Sequence, residues 1–116
     1  VDSVAVIPVA NARELRDFIK LPWTLYRGDP FWVPPLIRDM KVLLDRSRHP
    51  FFAHSSADFF LARRNGQCVG RIAAILNNNH NRFHGEKTAF FGFFESIDDP
   101  SVASALLDAA AQWGRE

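Results

Sequence analysis

Thr88-Ala-Phe-Phe-Gly-Phe-Phe-Glu95 is the stretch whose reading decides the fold. Ala89 to Phe94 carry no polar side chain, and four of those six residues are Phe. A short apolar run, rich in aromatics and without alternation, predicts a strand covered on both faces. It closes on a carboxylate, Glu95, and passes through Ser96-Ile-Asp-Asp-Pro100 into a helical pattern. Asp99 suits the N-cap and Pro100 the first helical position, with Val102, Leu106, Ala109 and Trp113 on one buried stripe. Open α/β sheets hold ligands beyond the carboxyl end of such a strand, near the next helix N-terminus. A site is expected there.

Working outward, Asn65-Gly66 separates two apolar runs, Asp58 to Arg64 and Gln67 to Asn77. Both turn residues tolerate positive φ, so a two-residue hairpin is predicted. The turn sets Ala62 opposite Val69 and Phe60 opposite Arg71. One face then holds Phe59, Leu61, Ile72, Ala74 and Leu76, the other Phe60, Ala62, Val69, Ala73 and Ile75. Both faces are apolar, which predicts helices on both sides of the sheet. Gly70 in mid-strand predicts a bulge or the close approach of another group. The polar run Asn77 to Lys87 reads as a loop.

Further upstream, Val4 to Val9 is a short edge strand closed by Pro8. Asn11 and Glu14 have the spacing of a capping box, followed by an apolar face of Leu15, Phe18 and Ile19. Pro22 is expected to end or kink that helix. The segment Pro22 to Leu36 holds four of the seven prolines and two of the three tryptophans. It reads either as a rigid aromatic cover on the core or as the wall of a substrate groove, with Tyr26 and Trp32 as substrate-binding candidates. Pro35 opens a second helix with Leu36, Met40, Leu43 and Leu44 inward. Asp45 to Ala57 reads as a loop.

The predicted order is β-α-α-β-β-β-α, an α/β (α+β) fold with a mixed sheet. At 116 residues the chain is one domain or part of one. With 47% hydrophobic residues it can fill a core. A net charge of +1 without a block of either sign argues against nucleic acid or a polybasic membrane patch as partner. No apolar run approaches the roughly 20 residues of a membrane span. One cysteine, Cys68, and no secretory pattern lead to a cytoplasmic expectation. The order ends on a helix, so the Phe-rich strand lacks a neighbour on one side. The missing strand is expected from a C-terminal half or a second chain.

Glu95 is the catalytic candidate. A carboxylate at the end of an apolar strand can serve as general base for an amine, against the plainer reading of a solvated strand-end acid. Asp98 and Asp99 read as capping and charge at a helix N-terminus, not as a metal pair. His80 and His84 lack a third ligand, so no metal is expected. Cys68 reads as a small core residue and Arg71 as a snorkelling surface residue rather than a buried anion clamp. No P-loop, GxGxxG or GxSxG is present.

Tyr26-Arg-Gly-Asp-Pro-Phe-Trp-Val-Pro-Pro-Leu36, Phe60-Leu-Ala-Arg63, Val69-Gly-Arg-Ile-Ala73 and Phe91-Gly-Phe-Phe-Glu95 resemble a group of longer bacterial GNAT-like proteins. The element order resembles the first half of the GNAT acyltransferase fold. The resemblance implies an acyl-CoA-dependent N-acyltransferase using acetyl-CoA or another acyl-CoA. Its acceptor would be a small-molecule amine or a peptide. It further implies that Phe93, Phe94 and Glu95 pair with the pantetheine arm, that Ser101, Val102 and Ala103 meet the pyrophosphate, and that Glu95 is the base. Ile97-Asp-Asp-Pro-Ser-Val102 stands where the family has a glycine-containing pyrophosphate loop. The competing expectations are a non-catalytic GNAT-like half serving as a structural or ligand-sensing partner, and an unrelated α+β binding module.

Overall fold

A computed structural model describes residues 4–45, 55–85 and 89–115. The elements run β1 (Ala5–Pro8), α1 (Ala12–Leu25), α2 (Ile37–Leu43), β2 (Ser55–Arg64), β3 (Gln67–Asn77), α3 (Asn78–His84), β4 (Phe90–Ser96) and α4 (Pro100–Gly114). The sheet order is β1-β2-β3-β4, and each described pairing is antiparallel. The parallel neighbour that would make the sheet mixed is not among the described strands. α1 and α2 cover one face, where Phe18, Ile19, Leu44, Phe59 and Leu61 are buried. α4 covers the other, burying Val102 and Leu106 against Ala62, Val69 and Ile72. Burying each large apolar side chain contributes about 1.5–3 kcal/mol.

Local chemistry sets several boundaries as expected. The Asn11 side chain accepts from the Glu14 amide at 2.9 Å, and Glu14 reaches back to the Ala10 amide at 2.8 Å. Asp99 caps α4, with Pro100 inside its first turn. Asn65 and Gly66 both have positive φ, 54° and 75°, as a type I′ turn requires.

Other expectations are corrected. β2 begins at Ser55 rather than Asp58, and residues 46–54 of the expected loop lie outside the described residues. α2 starts at Ile37, not Pro35, leaving Leu36 61% exposed. The Leu43 side chain is outside the described set. The run read as a loop after Asn77 contains α3. Most instructive is the hairpin register. Arg64 opposes Gln67 and Arg63 opposes Cys68, but Ala62 opposes Gly70 and Leu61 opposes Arg71. A bulge between Ala62 and Arg63 inserts one extra residue on β3. Because side chains alternate with period two, that residue exchanges the faces of β3 beyond it. Ala73 and Ile75 therefore face α1, while Ile72 faces α4. Gly70 meets both expectations for it: it lies at the bulge and beneath Val102 and Leu106.

Pro22 does not end α1, which continues to Leu25. A helix-interior proline leaves the carbonyl four residues earlier without its amide donor. Here that is the Phe18 carbonyl, and Arg71 Nη1 donates to it at 2.7 Å. The side chain read as a surface residue is thus buried, 5% exposed. Snorkelling does not describe it, because two of its donors go to backbone carbonyls inside the fold.

β4 is the border strand, paired among the described strands with β3 alone. The interior position expected for it is not found within these residues. Phe90, Phe91 and Phe94 are 42%, 57% and 37% exposed.

Candidate active site

β4 is broken just before its end. Gly92 opposes Ala73 and Glu95 opposes Arg71, so two residues of β4, Phe93 and Phe94, stand against Ile72 alone. Phe93 takes φ 53°, a left-handed conformation that is uncommon for a bulky side chain. This second bulge sends Phe93 toward α1, where its ring meets Phe18 edge-on at 6.2 Å. It also brings Phe91 and Phe94, three apart, into T-shaped contact at 6.3 Å. In an unbroken strand those two would point to opposite faces.

Glu95 emerges directly after the break, half-buried, on the face of its partner Arg71. Tyr26 lies at the C-cap of α1, its amide held by the Pro22 carbonyl. Its hydroxyl donates to Glu95 Oε2 at 2.5 Å. The hydrogen bond to the carboxylate, partial burial and the carboxylate's charge all raise the phenol's pKa above its usual 10.0. Tyr26 therefore stays protonated as donor through the neutral range.

The Pro-rich segment holds the phenol in place. Trp32 stacks on Tyr26 at 5.6 Å and 24°, and Trp23 meets Trp32 edge-on at 5.3 Å. The Asp29 carboxylate accepts from the Phe31 amide at 2.9 Å, an Asx turn that returns the chain to Trp32. The aromatic stack rests on α1 and presents Tyr26 to Glu95. Phe31 and Val33 stand 90% and 83% exposed beside it.

An open cleft of about 450 Å³ follows β4, lined by Phe94, Glu95, Asp98, Asp99, Pro100 and Ala103 among others. Its α4 side is already engaged. The Ser101 amide donates to Asp99 Oδ1 at 2.9 Å, and the Val102 and Ala103 amides donate to the Asp99 carbonyl at 3.1 and 3.2 Å. The Ser101 hydroxyl and Arg64 also bind the Asp99 carboxylate, both at 2.7 Å. These contacts, the Ser101 hydroxyl foremost and Arg64 next, lower the Asp99 pKa from 3.8 to about 2. Asp99 thus sits where an external anion would sit at this terminus. Arg64 Nε is buried without a partner among the described residues.

The structure brings Tyr26, Trp32, Phe93, Phe94 and Glu95 to one end of the sheet; of the α4 candidates Ala103 lines the cleft, Ser101 is exposed beside it, and Val102 is buried in the core. Sequence reasoning singled out Arg71 but preferred a surface role for it; the signal for burial is an arginine inside an apolar run, and its pairing with Glu95 appears only in the structure. Cys68 is half-buried, with its thiol pKa raised by burial. Among the described residues no three His, Cys, Asp or Glu come together, and no helix is long and apolar enough to cross a membrane.

No family model matches the chain. It is 38% identical over 103 residues to Protein YghO of Escherichia coli (strain K12), covering 89% of this chain and 26% of that protein. It is 38% identical over 114 residues to the bacterial ceramide synthase of Caulobacter vibrioides (strain NA1000 / CB15N), covering 97% of this chain and 30% of that protein. Among solved structures it is similar to a tandem GNAT protein from the clavulanic acid biosynthesis pathway. The TM-score is 0.73 at 22% identity, over 97% of this chain and 33% of that one. The chain therefore spans a third or less of the proteins it matches, and its fold is GNAT-like.

Proposed function

We propose that this GNAT-like chain is the N-terminal, donor-facing part of an acyl-CoA-dependent N-acyltransferase in which Glu95 is the general base. The observation that carries this reading is the Tyr26–Glu95 hydrogen bond at the broken end of β4. Such an arrangement orients one carboxylate oxygen and leaves the other for an incoming amine. The likeness to a protein named as a ceramide synthase supports the reaction class, because a ceramide is an amide made at an amine nitrogen.

The acyl-CoA supplies a thioester carbonyl. The amine nitrogen forms the new C–N bond there, the C–S bond breaks, and the thiolate leaves to be protonated. Glu95 takes the proton that the nitrogen sheds. Tyr26 holds the carboxylate, and Trp32 holds Tyr26. Phe93 and Phe94 offer backbone groups along the border of β4 for the donor's pantetheine arm. That border position leaves the cleft with one wall among these residues, so its second wall belongs to the rest of a longer protein or to a second chain. The acceptor is a primary amine, and the ceramide synthase relative favours a donor longer than acetyl. A single half-buried thiol and this donor fit a cytoplasmic setting.

The N-terminus of α4 does not fit a pyrophosphate as it stands, since its amides are taken and Asp99 fills the anion's place. That observation favours the second reading, a non-catalytic half that packs against, or senses a ligand with, another domain. Glu95→Gln in the full-length protein separates the two. The enzyme reading expects turnover to fall by about 10²-fold or more with acyl-CoA affinity retained. A wild-type protein that binds acyl-CoA yet transfers nothing to a panel of long-chain and short amines supports the second reading instead.

A further inference from the structure

Among the described residues Arg71 is the one charged side chain that is buried, and its contacts converge on the break in β4. Its Nη1 donates to the Phe18 carbonyl at 2.7 Å, the group that Pro22 leaves without a helical donor. Its Nε donates to the Phe93 carbonyl at 3.0 Å, at the residue with φ 53°. The guanidinium lies over both rings that these residues carry, 5.0 Å from Phe18 and 5.8 Å from Phe93. Arg71 is also the cross-strand partner of Glu95; burial lowers the guanidinium's pKa, and the nearby Glu95 carboxylate offsets part of that.

We propose that Arg71 is a positioning residue: it clamps the Phe93 carbonyl to the Phe18 carbonyl and so fixes the break in β4 that aims Glu95 at Tyr26. The proposal rests on the reading in which Glu95 reacts. Its logic is geometric. A buried carbonyl without a donor is costly, and Arg71 donates both to the buried Phe18 carbonyl of α1 and to the part-buried Phe93 carbonyl of β4. The planar, forked guanidinium presents donors to both at once in a fixed geometry, which a lysine's single ammonium point does not match. A lysine would reach one, and an apolar residue neither. Pro22 belongs to the same device, because an amide at position 22 would compete for the Phe18 carbonyl. α1 and β4 are then tied at two points, by Arg71 before Glu95 and by Tyr26 at Glu95, and the carboxylate is held between them.

The test uses the full-length protein with Arg71→Met, Arg71→Lys and Pro22→Ala. Amide hydrogen exchange is read at residues 92–96, with the β2–β3 hairpin as internal reference. In Arg71→Met, exchange at 92–96 should quicken about tenfold or more while the hairpin changes by less than about twofold. Arg71→Lys should restore part of that protection. The kcat for acyl transfer should fall about tenfold or more in Arg71→Met with KM for the amine little changed, and recover partly in Arg71→Lys. If Arg71→Met does not fold, Arg71→Lys and Pro22→Ala carry the test, each with a smaller but selective rise at 92–96. Unchanged exchange there in every folded variant overturns the proposal, as does a rise shared equally by the hairpin. A selective rise in a protein that transfers no acyl group supports the clamp and overturns only the reading in which Glu95 reacts.

Discussion

Replacing Gly70 by Ala tests the packing that joins the sheet to the site. Gly70 lies in the bulged strand beneath α4, and a Cβ there would meet Leu106 Cδ1 at 2.6 Å, Val102 Cγ1 at 3.0 Å and the Glu95 carbonyl at 3.2 Å. The Leu106 methyl is the end of a side chain, but Leu106 and Val102 are both fully buried, so neither can swing into empty space. The Glu95 carbonyl is backbone and yields only if β4 moves. Overpacking of this kind costs about 1–3 kcal/mol. The added methyl also restricts the unfolded chain, which offsets about 0.4–1 kcal/mol. Gly70 does not hold a positive φ, so no backbone strain is added. Gly70→Ala should therefore destabilise by about 1–2 kcal/mol. Urea unfolding measures this, and acyl transfer should fall further than stability alone explains, because Glu95 shifts with its carbonyl. A variant as stable as wild type, or more so, would refute the close contact between β3 and α4.

Two further outcomes follow from the ties around α4. The folded pKa of Asp99 is depressed to about 2 from 3.8, so its contribution to stability is complete above the ordinary value and drains away as the pH falls from 3.8 toward about 2. Asp99→Asn keeps a capping oxygen but no charge; its stability deficit against wild type should shrink across that acid window and stay constant above it, as acid-unfolding curves would show. Trp113 Nε1 donates to Asp58 Oδ2 at 2.7 Å, joining the last turns of α4 to β2. Trp113→Phe should lose about 1.5 kcal/mol in urea unfolding, the low end of the range for a hydrogen bond to a charged group, because the pair is only part-buried.

What was legible in the sequence was local. Asn11 with Glu14, Asn65-Gly66 and Asp99-Pro100 each satisfy their own backbone groups within four residues, so spacing alone identifies them. The hairpin register was not legible, because the turn dictates only the first pairs and the bulge at Ala62 and Arg63 then shifts the rest. Arg71 was misread because what compensates its burial is remote: its acceptors at Phe18 and Phe93 lie 53 and 22 residues away in sequence. That Pro22 does not end the helix was not legible for the same reason, since the carbonyl that the proline strands is taken by the remote Arg71. Tyr26 and Glu95 were each singled out, yet 69 residues separate them and nothing in spacing pairs them. The polar asparagine run before His84 concealed α3, whose short helix carries no apolar stripe to announce it.

On the proposed function, the border of β4 beyond its break receives an acyl donor beside Glu95. Hydrogen exchange of the full-length protein with and without palmitoyl-CoA, and separately acetyl-CoA, tests it most directly. Saturable slowing is expected at Phe93, Phe94 and Glu95 with at least one of the two donors. Saturable binding that leaves those amides unchanged, or no binding of either donor, would contradict it.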